Sequence, residues 1–404
     1  MQEKTIRVLQ HMRVLDSGGI EAFVFANYKA MDRKKVIFDF LVTRDKEEFY
    51  DEEIKKLGGK KIILNFKKSK NSFVNVLNQA KSFYKFCKEN KEKYSVIHFQ
   101  SIGANGFFDI IAAKMAGIPC RIAHSHIAND IKPAHNSNKK KVGKLRRMTV
   151  LLRQNIIRLL VSKNSTDFFG CSKMACEWMY TKKINKNKAI VVKNPIDVKK
   201  FKYNDNYRAE IRKSLNIENK YVIGHVGRFV YSKNHMFLLE QFAQFSKINE
   251  DAVLILVGGG ILENEILGKI KSLGIEERVI LYGETDSVYK LYSAFDVFWF
   301  PSVYEGLGIV LIEAQANGLP IIASSSIPSE VKITDNFYFV DINKKNEWIR
   351  IMKEKNICRN NDKNFEAVIN SGYDIKDVSN FLQNFYINHS KRENKYENQR
   401  KWFI

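Results

Sequence analysis

The sequence has few cysteines and no long apolar segment. Its five cysteines are odd in number and form no Cys-x-x-Cys pair, which excludes a disulfide scaffold and a zinc site built from such pairs. No apolar run reaches the roughly 18–20 residues that a membrane-spanning helix needs. The first ten residues, MQEKTIRVLQ, are charged and then strand-like, unlike a signal peptide. We therefore expect a cytoplasmic protein, one that can still contact the inner face of the cell membrane.

Acidic residues are scarce relative to basic ones. Lys and Arg together number 67 and Asp and Glu 44, which gives a formal net charge of +23. Such an excess indicates an anionic partner, which can be nucleic acid, acidic lipid or a phosphorylated substrate. The chain contains no Asp-x-Asp pair, the simplest clamp for a divalent cation on a nucleotide diphosphate, so we expect neither a metal nor another cofactor.

The length and the spacing of apolar residues predict the fold class. The chain has 404 residues, 45% of them hydrophobic, which suits about two folded domains. Short apolar runs alternate with amphipathic stretches, a rhythm typical of β-α-β units in a parallel sheet. The rhythm restarts after Pro195, so we predict two Rossmann-like, doubly wound α/β domains, residues 1–194 and 195–373, that face each other across a ligand cleft. Residues 374–404 read as a helix and a basic tail that crosses back to the first domain. The expected strands are Ile6–Gln10, Val36–Val42, Lys61–Asn65, Val96–Phe99, Arg121–His124, Tyr221–Val226, Ala252–Val257, Val279–Tyr282, Val297–Pro301 and Pro320–Ser324.

One block of the second domain combines carboxylates with a glycine-containing loop. An apolar strand ends at Pro301, and a loop leads into an apolar helix that stops at Gly318. The loop carries Glu305, and the backbone amides of residues 306–308 open the helix, an end that attracts phosphate. Glu313 lies inside the apolar helix, where a carboxylate is costly unless it is hydrogen-bonded, for instance by sugar hydroxyls. Either acid alone would be an ordinary solvated or satisfied side chain, but their shared setting favours a site.

Two cations follow the strand Tyr221–Val226. Gly227-Arg228 comes directly after it, and Lys233-Asn234 lies a few residues further on. Arg offers a rigid fork of donors and Lys a compact charge, a combination suited to a diphosphate. In so basic a protein, either cation alone would be an ordinary surface residue. Their place at the carboxyl end of a strand, where open α/β sheets bind ligands, favours a binding role.

The first domain offers weaker candidates. Gly18-Gly19 joins the first strand to the first helix and lets a ligand approach the backbone, although any tight turn could use it. It does not match the Gly-x-Gly-x-x-Gly loop of a nicotinamide dinucleotide site. His124 and His126 share one face of a strand by alternation. They suit either a polar group above a reacting sugar or part of a metal site whose third ligand would be Asp130 or His135.

Residues 131–163 are rich in Lys and Arg and contain no Asp or Glu. Their second half, 142–161, also carries many Leu and Ile side chains, so residues 139–161 could lie on an anionic membrane surface as a basic amphipathic helix. The alternative is a helix that packs on its own core with a solvated basic rim. The segment has no interleaved aromatic residues for base stacking, and the chain has no zinc-finger spacing, so we expect no nucleic acid partner.

Together these residues resemble the retaining glycosyltransferases of the GT-B fold, glycosyltransferase family 4 or group 1, and most of all the bacterial branch that builds capsule and exopolysaccharide. The similarity covers nearly the whole chain. Glu305 and Glu313 reproduce the family's E-x7-E spacing within a close match to E-G-[FL]-G-x-V-x-x-E-A-x-A-x-G-x-P. Further matches are G-R-x(4)-K-[GN] at 227–234, N-[GP]-[IV]-D at 194–197, the glycine loop at 18–21, R-I-A-H-S-H at 121–126 and C-S-K at 171–173.

The resemblance implies a role for each candidate residue. Arg228 and Lys233 would neutralise the donor diphosphate as it leaves, and Glu305 would lie by the donor sugar. His126, rather than His124, would lie near the anomeric centre, and Asn194 would be in the same acceptor or sugar vicinity. Glu313 would bind the ribose, and the base would rest near residues 283–285. The donor-binding set is then Gly18, Gly19, Asn234, Gly283, Glu284, Gly306, Leu307, Gly308 and Glu313.

The implied reaction is transfer of a sugar from a nucleotide sugar, with UDP as the expected carrier, to a glycan or lipid-linked acceptor. The family implies retention of the anomeric configuration and independence of metal. Two other functions stay open. One is a nucleotide-sugar epimerase or phosphorylase of similar architecture, and the other is a non-catalytic basic protein that binds membrane or nucleic acid. The sugar, the acceptor, the linkage, the pathway and the oligomeric state are open as well.

Overall fold

A computed structural model describes residues 5–16, 18–100, 102, 106–126, 144–354 and 357–391. The chain divides into two compact units. Unit 1 comprises Met1–Pro195 together with Ile375–Ile404, and unit 2 comprises Ile196–Asp374. In chain order the strands and α-helices are β1 (Ile6–His11), α1 (Gly19–Ala30), β2 (Val36–Val42), α2 (Asp51–Lys56), β3 (Lys60–Ile63), α3 (Ser72–Glu89), β4 (Val96–Phe99), α4 (Phe107–Met115), β5 (Cys120–Ser125), α5 (Lys144–Asn164), β6 (Asp167–Gly170), α6 (Lys173–Met179), α7 (Lys182–Asn187), β7 (Ala189–Val191), α8 (Asp205–Ser214), β8 (Tyr221–Val226), α9 (His235–Phe245), β9 (Ala252–Val257), α10 (Glu263–Leu273), β10 (Val279–Gly283), α11 (Val288–Ala294), β11 (Val297–Phe300), α12 (Ile309–Ala316), β12 (Ile321–Ser324), β13 (Phe337–Val340), α13 (Lys345–Glu354), α14 (Asn361–Val368) and α15 (Ile375–Ser390).

Each unit is built on one sheet. The order in unit 1 is β3-β2-β1-β4-β5-β6-β7 and in unit 2 β10-β9-β8-β11-β12-β13. All neighbouring strands run parallel. Because helices cover both faces of such sheets, central strands are apolar throughout, as in β9, where all six residues are buried. Strand order reverses between β1 and β4 and between β8 and β11, and ligands of doubly wound sheets bind at the carboxyl edge beside such a reversal.

The chain crosses from unit 1 to unit 2 after Pro195 and returns to unit 1 after Asp374. The residues next to these two crossing points are hydrogen-bonded to each other. The Ile196 amide donates to the Tyr373 carbonyl at 2.9 Å, and Ile196 and Asp374 form a parallel bridge. Helix α15 then lies in unit 1, where it packs against α1 and against strands β1, β2 and β4. Leu382 and Tyr386 of α15 belong to the apolar core of that unit. The last helix is therefore a structural part of the first sheet unit.

The predicted fold class is confirmed, and the predicted strands match β1–β5 and β8–β12 within two residues at their ends. Strands β6, β7 and β13 were not expected. Length alone does not explain this, since β4, β11 and β12 also have four residues and were predicted. Strand β6 has only two apolar residues between Asp167 and Gly170, β7 has three residues in all, and β13 was missed although its four residues are all apolar. Strand β7 is also a partly exposed edge strand. Among the described helices, none combines the length and the apolar character that a bilayer crossing requires.

Candidate functional site

The carboxyl edge of unit 2 brings two of the sequence motifs together. Strand β8 pairs with β11, so the loop after β8 lies beside the loop after β11. The Val303 amide donates to the Ser232 carbonyl at 2.8 Å, and the Asn234 side-chain amide donates to the Pro301 carbonyl at 3.2 Å. Two segments that are distant in sequence thus form one polar edge at the strand-order reversal.

Lys233 and Glu305 form an ion pair across these loops. Lys233 Nζ lies 2.6 Å from Glu305 Oε1, and the two side chains are only 15% and 13% exposed. The ammonium also lies 4.8 Å from the centre of the Phe300 ring. Because each charge is held by its partner away from most water, removing either one would leave the other uncompensated. The pair fixes both groups at the edge of the sheet.

Arg228 belongs to the same loop as Lys233 but differs from it in environment. Its side chain is exposed and makes no hydrogen bond or ion pair with a described residue. The five donors of its guanidinium are therefore available to an anion, and their planar geometry suits two oxygens of one phosphate group. The neighbouring Phe229 is buried and anchors the loop.

Helix α12 begins beside Glu305 and presents backbone amides. Gly308 is its N-cap residue, with φ +84, and no side chain caps the helix. A side chain at this φ would be strained, and a Cβ would lie 3.1 Å from Leu311 Cδ1. Leu307 is buried, whereas a Cβ on Gly306 would meet no atom within 4 Å. The Leu311 amide donates to the Gly308 carbonyl at 2.9 Å, whereas the amides of Ile309 and Val310, which bond to no described residue, are left for an anionic group.

Glu313 lies one turn into α12 and is held by a tyrosine. The Tyr292 hydroxyl donates to Glu313 Oε2 at 2.8 Å. Burial raises the pKa of Glu313 to about 7, although the hydrogen bond from Tyr292 and the positive charge of Lys200 oppose that rise. The carboxyl group is therefore close to half ionised at neutral pH. Ionised, it can accept hydrogen bonds from ligand hydroxyls.

A triglycine loop contributes to this edge and was not singled out from the sequence. Gly258, Gly259 and Gly260 follow β9, and Gly258 and Gly260 have φ values of +134 and +151. The Phe229 amide donates to the Gly259 carbonyl at 2.7 Å, and a Cβ on Gly258 would overlap the Gly227 carbonyl. Three consecutive glycines after a buried strand are a signal of close backbone approach that could have identified the loop.

Gly283 and Glu284, the residues expected near the base, lie at the same edge. Gly283 ends β10, and its carbonyl accepts the Gly258 amide at 2.9 Å. Glu284 is exposed, and its carboxylate lies so close that a Cβ on Gly259 would be 3.2 Å from Glu284 Oε1. The loops after β8, β9 and β10 are therefore joined by backbone hydrogen bonds. All donor-site candidates of unit 2 belong to this edge or to the first two turns of α12.

Two buried histidines pack against the loop after β8, and they too were missed. His225 Nδ1 donates to the Trp299 carbonyl at 2.9 Å, while both ring nitrogens of His235 lack a partner among the described residues. Burial lowers the pKa of His225 well below its usual value and that of His235 to about 4. Both rings are neutral at pH 7, so the positive charge of the edge comes from the loop cations alone.

In unit 1 the expected residues lie at the carboxyl edges of β1 and β5. Gly18 precedes α1 as its N-cap residue, Gly19 starts the helix, and a Cβ on Gly18 would overlap the carboxylate of Glu21. The rings of His124 and His126 stack with centroids 4.0 Å apart, so they do lie on one face. Burial lowers the pKa of both, that of His126 to about 3, which keeps them neutral.

The remaining candidates of unit 1 stand apart. Asn194 precedes the passage to unit 2, and its Oδ1 atom is buried without a hydrogen-bond partner among the described residues. Asp130 and His135, the suggested third metal ligands, lie outside the described residues. Within the described ranges no three His, Cys, Asp or Glu side chains cluster as a metal site would require.

Helix α5 agrees in part with both interpretations of the basic segment. Residues 139–143 lie outside the described residues. Ile157 and Val161 are buried in the core of unit 1, as in a packed helix. Another face exposes large apolar side chains, which are Leu151, Leu152, Ile156 and Leu159, between 42% and 61% exposed. Arg153 is exposed nearby.

Comparison with known proteins agrees with this arrangement. Residues 207–366 match the family model "Glycosyl transferases group 1". The chain is 33% identical over 333 residues to a putative glycosyltransferase, EpsF, of Bacillus subtilis, covering 82% of each chain. It is 27% identical to the Escherichia coli UDP-Gal:alpha-D-GlcNAc-diphosphoundecaprenol alpha-1,3-galactosyltransferase, covering 76% of this chain and 78% of the relative.

A solved structure supports the fold independently. The crystal structure of Anabaena Alr3699/HepE in complex with UDP superposes with a TM-score of 0.69 at 18% identity, covering 94% of this chain and 99% of that one. The family expected from the motifs is thereby confirmed. The chain belongs to the group 1 glycosyltransferases with the GT-B fold, among those of bacterial surface polysaccharide synthesis.

Proposed function

We propose that the protein transfers a sugar from a UDP-sugar to a lipid-linked glycan acceptor, with retention of configuration and without a metal ion. The observation that carries the proposal is the Lys233–Glu305 ion pair, at 2.6 Å, on the edge that also holds Arg228 and the start of α12. This edge supplies two cations and free backbone amides for a diphosphate, with a carboxylate beside them. The UDP in the HepE crystal and the UDP-Gal in the name of the E. coli relative support UDP as the carrier.

Different residues of unit 2 bind the diphosphate, the ribose and the base of the donor. Arg228, Lys233 and the amides at Gly306–Gly308 bind the diphosphate, and Asn234 secures the loop through its bond to the Pro301 carbonyl. Glu313 accepts hydrogen bonds from the ribose. The base rests near Gly283 and Glu284. No metal is needed in this scheme, because fixed cations and helix amides neutralise the phosphate oxygens.

The rate enhancement is mainly electrostatic. Departure of the nucleoside diphosphate builds negative charge on phosphate oxygens, and donors fixed in advance stabilise that charge without reorganisation. Glu305 lies beside the sugar and is held in place by its ion pair with Lys233. His126 is assigned to the anomeric centre as the resemblance implies, with His124 stacked against it. Retention rests on the family resemblance.

The lipid part of the acceptor fits the exposed apolar face of α5. A lipid-linked glycan stays in the membrane, so the enzyme has to bind at its surface. Apolar side chains beside arginines, as on α5, suit the boundary between acyl chains and anionic headgroups. The diphosphoundecaprenol in the name of the E. coli relative supports such an acceptor.

The test starts from a thermal-shift panel of UDP-glucose, UDP-galactose and their N-acetyl forms, since a bound donor raises the melting temperature. With the stabilising donor, Arg228→Ala should lower the rate of UDP release by about 10²–10³. The control is Arg350→Ala, an exposed arginine of α13 that pairs with Glu347, which should leave the rate unchanged. Equal rates for wild type and Arg228→Ala would contradict the proposal. Radiolabelled sugar should move into a lipid extract, whereas an epimerase would leave it on the nucleotide.

A further inference from the structure

A buried polar network lies behind His126 in unit 1. His126 Nε2 lies 2.7 Å from Gln100 Oε1, and Gln100 Nε2 donates to Gln10 Oε1 at 2.9 Å. Gln10 is 0% exposed and Gln100 2% exposed. Gln10 lies in β1, whereas Gln100 and His126 directly follow β4 and β5, and β4 pairs with both β1 and β5. The network thus runs along the carboxyl half of three neighbouring strands.

The ring of His126 is also held by its neighbours on two sides. It stacks on His124, and the Phe23 ring of α1 meets it edge-on at 5.1 Å. His124 is fixed in turn, since its Nδ1 lies 3.1 Å from His98 Nε2, and His98 Nδ1 lies 2.8 Å from the Tyr386 hydroxyl of α15. The imidazole of His126 therefore has one position, set by packing, and one hydrogen bond to a described residue.

The hydrogen bond decides which ring nitrogen carries the proton. Burial keeps His126 neutral, with a pKa of about 3, so only one of its two nitrogens is protonated. An amide oxygen can only accept, and Gln100 turns its oxygen to His126 because its nitrogen is used by Gln10. The proton then lies on Nε2. Nδ1, which bonds to no described residue, is left with a free lone pair.

We propose that Gln100 is a positioning residue that locks His126 in the Nε2–H tautomer and so presents Nδ1 as a hydrogen-bond acceptor to the sugar or the acceptor hydroxyl. The proposal rests on the role of His126 in the proposed function. In the other tautomer Nδ1 would carry the proton and donate a hydrogen bond. It would then bind an acceptor atom of the ligand instead of a hydroxyl that donates.

Tautomers can be read directly on the free enzyme, before any substrate is known. The chain has eight histidines, so [15N]histidine labelling with long-range 1H–15N correlation spectra resolves each ring, and His126→Asn assigns the signal. In the wild type we expect His126 to show a protonated Nε2 and an unprotonated Nδ1. In Gln100→Leu the two signals should move toward a mixture of tautomers, and in Gln100→Glu, which keeps an acceptor oxygen, the Nε2–H form should persist.

Turnover gives the second measurement. In Gln100→Leu we expect kcat for UDP release to fall by at least about tenfold, since positioned proton-transfer groups contribute on the order of 10²–10⁴, while the KM for the donor stays within about twofold. Gln383→Leu, a buried glutamine of α15 that accepts from the Asp32 amide, is the control for a lost buried amide and should leave the His126 spectrum unchanged.

A wild-type His126 protonated on Nδ1, or a Gln100→Leu spectrum identical to wild type, would overturn the assignment to Gln100. A fall in kcat without a change of tautomer would overturn it too. A different result would contradict the proposed function. If His126→Asn kept full activity while the wild-type and Gln100→Leu spectra were as expected, Gln100 would still set the tautomer, but His126 would not act in the reaction.

Discussion

Binding of the donor should weaken as the pH falls through 7, because Glu313 loses its charge there. Burial raises the pKa of this carboxyl to about 7, and its proposed role is to accept hydrogen bonds from ribose hydroxyls. Only the ionised form accepts with both oxygens. A protonated Glu313 would donate one hydrogen bond and accept more weakly, so it would bind the same hydroxyls less well.

The magnitude follows from the position of the pKa. If only the ionised form binds, the apparent Kd is multiplied by 1 + 10^(pKa − pH). With a pKa of about 7, the Kd at about pH 6 should be roughly tenfold higher than at about pH 8, or ~1.4 kcal/mol. The nearby His225 and His235 do not contribute, since the pKa of each lies well below this range.

The perturbation is Tyr292→Phe, which removes the hydrogen bond to Glu313 Oε2 at 2.8 Å. That hydrogen bond lowers the pKa of Glu313, so its loss should raise the pKa further and start the weakening at a higher pH. Glu313→Gln should bind the donor more weakly at all pH values, with no pH dependence in this range.

Isothermal titration calorimetry with a UDP-sugar is the suitable assay. UDP itself is less suitable, because its terminal phosphate titrates near pH 6, as phosphate monoesters do. A Kd that stays constant between about pH 6 and pH 8 would refute the assignment of Glu313 to the ribose. A Tyr292→Phe profile displaced toward lower pH would refute the account of its pKa.

Two further predictions concern the loop glycines and α5. Gly258→Ala should destabilise unit 2 by at least about 1–3 kcal/mol, because φ is +134 and a Cβ would overlap the Gly227 carbonyl. Thermal denaturation measures this, and Gly268→Ala, in α10 with open space around it, should be neutral or stabilising. The double variant with Leu152→Ser and Leu159→Ser should bind vesicles of phosphatidylglycerol and phosphatidylcholine at least about tenfold more weakly than the wild type. Ile261→Ser, which removes another exposed apolar side chain, should not, and equal binding by all three proteins would exclude α5 as the membrane contact.

Most of the fold could be predicted because parallel strands in a doubly wound sheet are buried on both faces. The apolar run of β9 and the repeated strand-helix rhythm therefore show in the sequence. Strands β6 and β7 were missed because they offer only two and three apolar residues, and β13 was missed although its four residues are all apolar. Helix α15 was expected to cross back to the first domain, but the elements that it packs against there were not predicted. Its partners in β1, β2 and β4 are hundreds of residues away, and no local pattern encodes such contacts.

The site was predictable only where a motif and a strand end coincide. Glu305 and Lys233 satisfy that condition, and so does Glu313 one turn later. Gln100 does not, because a single glutamine after a four-residue strand carries no pattern of its own. Its importance follows from the tertiary contact with His126, 26 residues away in sequence. His235 likewise reads as part of an apolar helix, and only its burial shows that it is neutral.

The Lys233–Glu305 pair explains why these residues could not be interpreted one at a time. A carboxylate beside a diphosphate would repel it unless a cation held that carboxylate, and a lysine held by the carboxylate contributes little net charge. Arg228, whose side chain has no partner among the described residues, is then the cation of these loops that no carboxylate already holds. In the function proposed above the three residues act together across two loops, although Lys233 and Glu305 are 72 positions apart in the sequence. Only the adjacency of β8 and β11 brings them together, so the topology of the sheet, more than either motif alone, creates the site.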